Sequence, residues 1–156
     1  MAAQRISISR HLATSAPYEV WNAFIRLITS DPADPFTLEQ RAAALVFWYE
    51  SEVQNGGHLQ YFSNRGLQEA AEAVGALLQL GAPAQAAILQ SAVASMPSDP
   101  DSSPVSGEEY VAIALEDPFD HFDHAFHEAS PSLQDVLEAY LQSHLSDFVV
   151  FEEGGA

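Results

Sequence analysis

Residues 37–66 read TLEQRAAALVFWYESEVQNGGHLQYFSNRG and carry the strongest structural signals in the chain. Thr37 and Gln40 have the spacing of a capping box, which predicts the start of a helix. The segment that follows is apolar on nearly every side from Ala42 to Tyr49, as expected for a helix at the centre of a bundle. The glycines of Asn55-Gly56-Gly57 predict a break or kink in this helix, and a short aromatic stretch closes at Gly66.

Helical spacing continues on both sides of this stretch. Apolar residues at three- and four-residue steps predict an amphipathic helix over about 17–30 and another that ends at Gly81, with Pro83 starting the next. Residues 97–107 are rich in Pro, Ser, Asp and Gly, which predicts a mobile acidic loop. Helical patterning resumes over 108–115 and restarts at Asp117-Pro118 and Ser130-Pro131.

The last third of the chain has two apolar stripes. One consists of Phe119, Phe122 and Phe126, and the other extends from Leu133 to Phe148 in a final helix. No convincing strand pair or tandem repeat occurs. The predicted fold class is therefore all-α, a single-domain bundle of about six to seven helices over residues 1–156.

Composition excludes several kinds of chemistry. The 156 residues are 47% apolar, enough for one domain with its own core. The absence of Cys excludes disulfides and thiolate chemistry. There is no phosphate-binding glycine loop and no GxSxG elbow, so we expect no enzyme and no cofactor. With no membrane-length apolar run and no apolar stretch typical of a secretory signal, we expect a cytoplasmic protein.

The charge is distributed unevenly along the chain. Residues 1–65 contain five Arg and six carboxylates, whereas residues 66–156 contain sixteen carboxylates and no Lys or Arg. Such a field repels nucleic acid, anionic lipid and phosphorylated substrates, and attracts basic proteins and cations. Solubility or salt adaptation would also produce an acidic chain, but neither explains why the first 65 residues are spared.

The segment Glu52-Val53-Gln54-Asn55-Gly56-Gly57-His58-Leu59-Gln60-Tyr61-Phe62-Ser63-Asn64-Arg65-Gly66 resembles the signature of a known family. This is a family of small acidic bacterial proteins named for a DNA-mimicking member and otherwise catalogued as a domain of unknown function. The matching positions are Glu52, Asn55, Gly56, Gly57, Gln60, the aromatic pair Tyr61 and Phe62, Asn64 and Gly66. Residues 117–126 and 140–148 resemble the family's C-terminal part, so that the resemblance spans about 15–150. It implies an all-helical fold and inhibition of a DNA-binding protein by imitation of the duplex.

The signature has two interpretations of its own. Glu52, Asn55, Gln60 and Asn64 lie at helical offsets between apolar residues, which favours a buried, mutually hydrogen-bonded set that stabilises the kink. The alternative is a small-ligand or catalytic pocket in which Glu52 is a base and the side-chain amides of Asn55 and Gln60 orient the ligand. In that case the protein would be a structural or ligand-binding domain centred on Glu52–Gly66, with incidental acidity.

The histidines of 121–127 are the other candidate ligands. His121 and His124 with a neighbouring carboxylate have spacing compatible with Zn²⁺, but His127 points elsewhere on a helix and no HExxH motif occurs. A solvated face behind the three Phe is the preferred interpretation, and no metal is predicted. Because carboxylates surround these rings, we expect their charge to depend on pH near neutrality.

The sequence therefore favours an acidic module that binds a basic DNA-binding protein, either a transcription regulator or a nucleoid protein. We expect it to bind neither nucleic acid nor membrane directly. The oligomeric state stays open, a homodimer included. The residues expected to bind the partner are carboxylates that are dense in the sequence or extend that row: Glu108, Glu109, Glu116, Asp117, Asp120, Asp123, Glu128, Glu69 and Glu72, with Asp135 and Glu138 as further extensions.

Overall fold

The fold is given by a computed structural model that describes residues 4–31, 35–96 and 119–153. In chain order its elements are β1 (Ile6–Ser9), α1 (Arg10–Ser15), α2 (Tyr18–Ile28), α3 (Leu38–Leu80), α4 (Pro83–Ala94), α5 (Asp120–Glu128), α6 (Leu133–Ser143), α7 (Leu145–Phe148) and β2 (Val149–Glu152). The described ranges thus contain seven helices and one small sheet, and the all-α prediction is confirmed. The predicted loop at 97–107, the predicted helix at 108–115 and the Asp117-Pro118 start lie outside the described residues.

Helix α3 begins and ends as its sequence predicts. The Thr37 hydroxyl accepts a hydrogen bond from the Gln40 amide at 3.1 Å, and the Gln40 side-chain oxygen accepts one from the Thr37 amide at 3.1 Å. This reciprocal capping box satisfies amides that have no partner within the helix. At the other end, Gly81 is left-handed with φ 86° and donates to the carbonyls of the last turn. Pro83 then opens α4.

Three glycines divide α3 into segments 38–55, 58–65 and 67–80. Gly57 has φ 73° and ψ −176°, Gly66 has φ 82° and ψ 162°, and Gly56 is also outside the helical region. The backbone region of Gly57 and Gly66 is essentially restricted to glycine. The predicted break at Asn55-Gly56-Gly57 is confirmed, and Gly66 marks a second break before the third segment.

The core forms where α2, α4, α5 and α6 pack around α3. Phe24 and Leu27 of α2 and Leu137 and Leu141 of α6 are almost completely buried, and Phe24 meets Phe148 edge to face at 4.9 Å. Each such side chain stabilises the fold by about 1.5–3 kcal/mol through burial. The final apolar stripe is buried as predicted, but the helix is interrupted at His144, which separates α6 from α7. Within the described ranges, no helix is both long and apolar enough to cross a bilayer.

The two ends of the described chain pair as a parallel ladder, which the sequence did not predict. Ile6 lies opposite Val149, and Ser9 lies opposite Glu152. Gln40, fully buried, reinforces the junction because its amide nitrogen donates to the Gln4 carbonyl at 2.7 Å and to the Asp147 carbonyl at 2.9 Å. The start of α3 is thereby tied to the segments that immediately precede the two strands.

Candidate functional site

The signature segment encloses a buried histidine. The Nδ1 atom of His58 lies 2.6 Å from an Asp123 carboxylate oxygen, and the same oxygen accepts the His58 amide at 2.8 Å. On the other side of the ring, Nε2 lies 2.8 Å from the Tyr49 hydroxyl. An ionised carboxylate can only accept, so Nδ1 carries a proton, and in the neutral ring Nε2 then accepts from the Tyr49 hydroxyl. This Tyr49–His58–Asp123 chain joins the first segment of α3, its middle segment and α5.

The glycine pair makes room for this chain of contacts. A Cβ atom on Gly57 would lie 2.5 Å from the nearer Asp123 carboxylate oxygen and 3.0 Å from its carbon. A Cβ atom on Gly56 would overlap the side chain of Gln60. The signature therefore needs glycine twice, once for the approach of α5 and once for the approach of the next turn.

The local electrostatics favour a structural role for the Tyr49–His58–Asp123 chain. Partial burial acts to raise the pKa of Asp123, but the hydrogen bonds from His58 outweigh it and the pKa lies below its usual value. Burial, with smaller contributions from Tyr61 and Asp123, raises the pKa of the Tyr49 hydroxyl well above its usual range. Tyr49 therefore remains a neutral hydrogen-bond donor, and the carboxylate remains ionised.

The polar residues of the signature only partly follow the predicted arrangement. One oxygen of Glu52 accepts from the side-chain amides of Gln60 and Asn64, at 2.8 Å each, and so bridges the break at Gly56-Gly57. Phe62 is buried and meets Phe119 edge to face at 5.4 Å. Glu52 and Gln60 are half-buried, while Asn55 and Asn64 are exposed. The set lies at the edge of the core instead of inside it.

His58 is the residue that sequence reasoning missed. It lies within the quoted signature, but its two partners are in other segments, and no spacing rule connects them. The available signal was the single histidine of α3, placed directly after two glycines. Asp123 was predicted to bind a partner; its side chain is 26% exposed and bonded to His58, and partner binding by this residue stays a prediction.

The remaining acidic candidates fall into three groups. Asp120 and Glu128 are exposed on α5, where Glu128 contacts the equally exposed His124 at 3.1 Å. Glu69 is only 17% exposed and forms two hydrogen bonds with Arg65, and Glu72 pairs with Arg41 at 3.1 Å. The third group lies outside the described residues and consists of Glu108, Glu109, Glu116 and Asp117. Arg41 and Arg65 thus pair with Glu72 and Glu69 of α3, whereas no ion pair among the described residues joins an arginine to a carboxylate of α5.

The histidines of α5 face solvent. His121, His124 and His127 are exposed, behind the buried side of the helix that carries Phe126. In the part of the chain that the structure describes, no three His, Asp or Glu side chains come close enough to hold a metal ion. The exposed face of α5 is therefore a mixture of imidazoles and carboxylates.

A groove between α2 and α6 is the other notable surface feature. It encloses about 350 Å³ and is lined by Pro17, Val20 and Trp21 on one side and by Asp135, Glu138 and Leu141 on the other. Asp135 and Glu138 are exposed, and Trp21 is half-buried against Phe24, with ring centroids 5.2 Å apart. This α2–α6 groove combines an aromatic ring with two carboxylates.

Comparison with known proteins assigns the chain to a family. The family model described as DMP19-like protein matches residues 34–144, and the chain belongs to this family, a DNA-mimic family. The match contains α3, α4, α5 and α6 and leaves out both strands, α1, α2 and α7. No curated protein and no solved structure matches the chain.

Proposed function

We propose that this protein is a non-catalytic acidic module that occupies the DNA-contacting surface of a transcription regulator or nucleoid protein in place of DNA. The observation that carries the proposal is the charge: residues 66–156 contain sixteen carboxylates and no Lys or Arg. Membership of the DMP19-like family supports the same conclusion.

The described carboxylates suit this function because they are held on anchored helices. α5 is fixed to the core by Phe119 and Phe126 and by the contact between Asp123 and His58. On α6 the exposed acids Asp135 and Glu138 alternate with residues that are buried, so this helix is also firmly docked. Charges that are positioned before binding lose little conformational entropy on association.

The physical basis of such binding is competition for a polycation. Duplex DNA presents one negative charge per roughly 1.7 Å of helix axis, and a DNA-binding protein gains affinity by releasing the counterions of that array. A protein that presents carboxylates to the same surface displaces the duplex. The complex should therefore weaken steeply with salt, and duplex DNA should compete for it.

The experiment is capture from the native cytoplasm at low salt on immobilised full-length protein, followed by elution with a short random-sequence duplex. We expect elution of a DNA-binding protein by the duplex, and the same release by high salt. An uncharged polymer such as dextran is the control and should release nothing. If the captured proteins resist both duplex and salt, the mimicry proposal is wrong.

The alternative function, a structural or small-ligand-binding domain centred on Glu52–Gly66, is tested by Gln60→Ala. The hydrogen bonds from Gln60 and Asn64 to Glu52 are internal to the signature, which favours its structural role. Loss of folding stability with unchanged partner capture per folded molecule would support that role. Loss of capture by a fully folded variant would favour a ligand site instead.

A further inference from the structure

We propose that the α2–α6 groove is a binding site for a single arginine side chain of the partner protein. The guanidinium would stack on the Trp21 ring and donate hydrogen bonds to Asp135 and Glu138. The choice of arginine rests on the proposed function, because the DNA-contacting surface of a basic protein is the source of such side chains.

The dimensions of the groove suit one long side chain. Its volume of about 350 Å³ is at the lower end of the roughly 300–1,000 Å³ range of small-molecule sites. The walls that Val20 and Leu141 contribute are apolar and match the methylene stem of an arginine. The carboxylates of Asp135 and Glu138 are one helical turn apart on α6, so they face the same side of that helix.

The chain already uses this combination twice to hold its own arginines. Arg65 lies over the Trp48 ring at 4.7 Å and pairs with Glu69. Arg10 lies over the Phe151 ring at 5.4 Å and pairs with Glu153 at 3.0 Å. Both sites consist of an aromatic face and a carboxylate.

The α2–α6 groove has the same two components without the cation. Among the described residues that line it, none is Lys, Arg or His. An arginine from another molecule would complete the arrangement that Arg65 completes at Trp48. Lysine fits less well, because its ammonium neither stacks as a plane nor binds carboxylates through a rigid fork.

The test uses the isotope-labelled full-length chain and the blocked peptide acetyl-Gly-Arg-Gly-amide, with the corresponding lysine peptide for comparison. NMR titration would follow the indole N–H of Trp21 and the amides of Asp135 and Glu138. The indole of Trp48, already covered by Arg65, is the internal reference. We expect the arginine peptide to shift Trp21 and not Trp48, and to bind about fivefold more tightly than the lysine peptide.

Two charge variants separate the groove from general electrostatics. Asp135→Asn with Glu138→Gln should weaken binding of the arginine peptide by at least about tenfold. Asp120→Asn with Glu128→Gln removes the same number of charges from α5 and should change it less than about twofold. Trp21→Leu should abolish the preference for arginine over lysine. Trp21 also contacts Phe24, so its substitution perturbs the core. If Trp21→Leu does not fold, the substitutions of the exposed Asp135 and Glu138 still test the proposal.

Equal effects of the two charge variants would overturn the proposal, and so would equal affinities for the two peptides or a Trp21 signal that does not move. None of these outcomes depends on finding the partner. If the groove binds the arginine peptide but the protein captures no partner that duplex DNA releases, the proposed function is refuted and the arginine site is not. Duplex-competed capture without a response at Trp21 would refute only the site.

Discussion

Substitution of Gly57 by alanine should destabilise the fold through two separate effects. The backbone at Gly57, φ 73° and ψ −176°, is unfavourable for any residue with a side chain, at a cost of about 1–3 kcal/mol. In addition, the new methyl group would lie 2.5 Å from an Asp123 carboxylate oxygen. That oxygen would have to retreat by about 1 Å to reach an ordinary van der Waals separation.

The crowded oxygen is Oδ2, whereas His58 binds Oδ1. Because the carboxyl carbon at 3.0 Å and Oδ1 at 3.1 Å are also too close to the new methyl group, the whole carboxylate has to shift, and this disrupts the Oδ1 contacts with His58, which are 2.6 and 2.8 Å long. Hydrogen bonds to a charged group contribute about 1.5–3 kcal/mol each, but these two share one oxygen on a group that is partly hydrated, so we expect a combined loss of about 2 kcal/mol. The total for Gly57→Ala is then about 4 kcal/mol. This is a large part of the roughly 5–15 kcal/mol by which a domain is stable.

Gly66→Ala is the matched control, because Gly66 has nearly the same backbone angles and a Cβ atom there would meet nothing within 4 Å. Urea unfolding followed by circular dichroism should give a free energy of unfolding about 2 kcal/mol lower for Gly57→Ala than for Gly66→Ala. In the Asp123→Ala background this difference should vanish, since the clash is gone. Equal effects at the two glycines in the natural background would refute the role assigned to the Asp123 contact.

Three other perturbations test separate contacts. Because the pKa of Asp123 is lowered on folding, its stabilisation is present above the ordinary value of 3.8 and is lost as the pH falls through the lowered pKa. Asp123→Asn should therefore flatten the acid side of the stability profile, below the ordinary value of 3.8, and an unchanged profile would contradict this. Gln40→Ala should lower the free energy of unfolding by about 3 kcal/mol and accelerate amide exchange in both strands, because it removes three hydrogen bonds. Simultaneous substitution of Asp120, Glu128 and Glu138 by Lys should abolish duplex-competed capture, while each single substitution should weaken capture less than about tenfold. If one single substitution abolishes capture, the carboxylates do not act as a collective charge surface.

The parts of the fold that were predicted from sequence depend on local chemistry. The capping box of Thr37 and Gln40, the break at Gly56-Gly57 and the terminator Gly81 each follow from the conformational preferences of one or two residues. The Phe face of α5 follows from a period of 3.6 residues, and burial of Phe119 and Phe126 confirms it. Family resemblance and local pattern were consistent with each other throughout these segments.

The parts that were missed depend on contacts between distant segments. The β1–β2 pair consists of four residues in each strand, too few for a periodic signal, and its strands come from opposite ends of the described chain. The Asp123–His58 contact similarly joins α5 to the middle segment of α3. Asp123 was grouped with its acidic neighbours because sequence spacing gave its helix face but not the histidine that faces it. Burial of a carboxylate becomes evident only when its partner is placed.

The parallel direction of β1 and β2 has a mechanical consequence. The chain enters the ribbon beside Ile6 and leaves it beside Glu152, at opposite ends of the ladder. Tension applied through the two flanking segments would slide one strand lengthwise along the other, so the ladder bonds would be loaded simultaneously and not opened one by one. Gln40, bonded to the carbonyls of Gln4 and Asp147, shares that load. The ribbon is thus oriented as a shear clamp that resists pulling along the polypeptide.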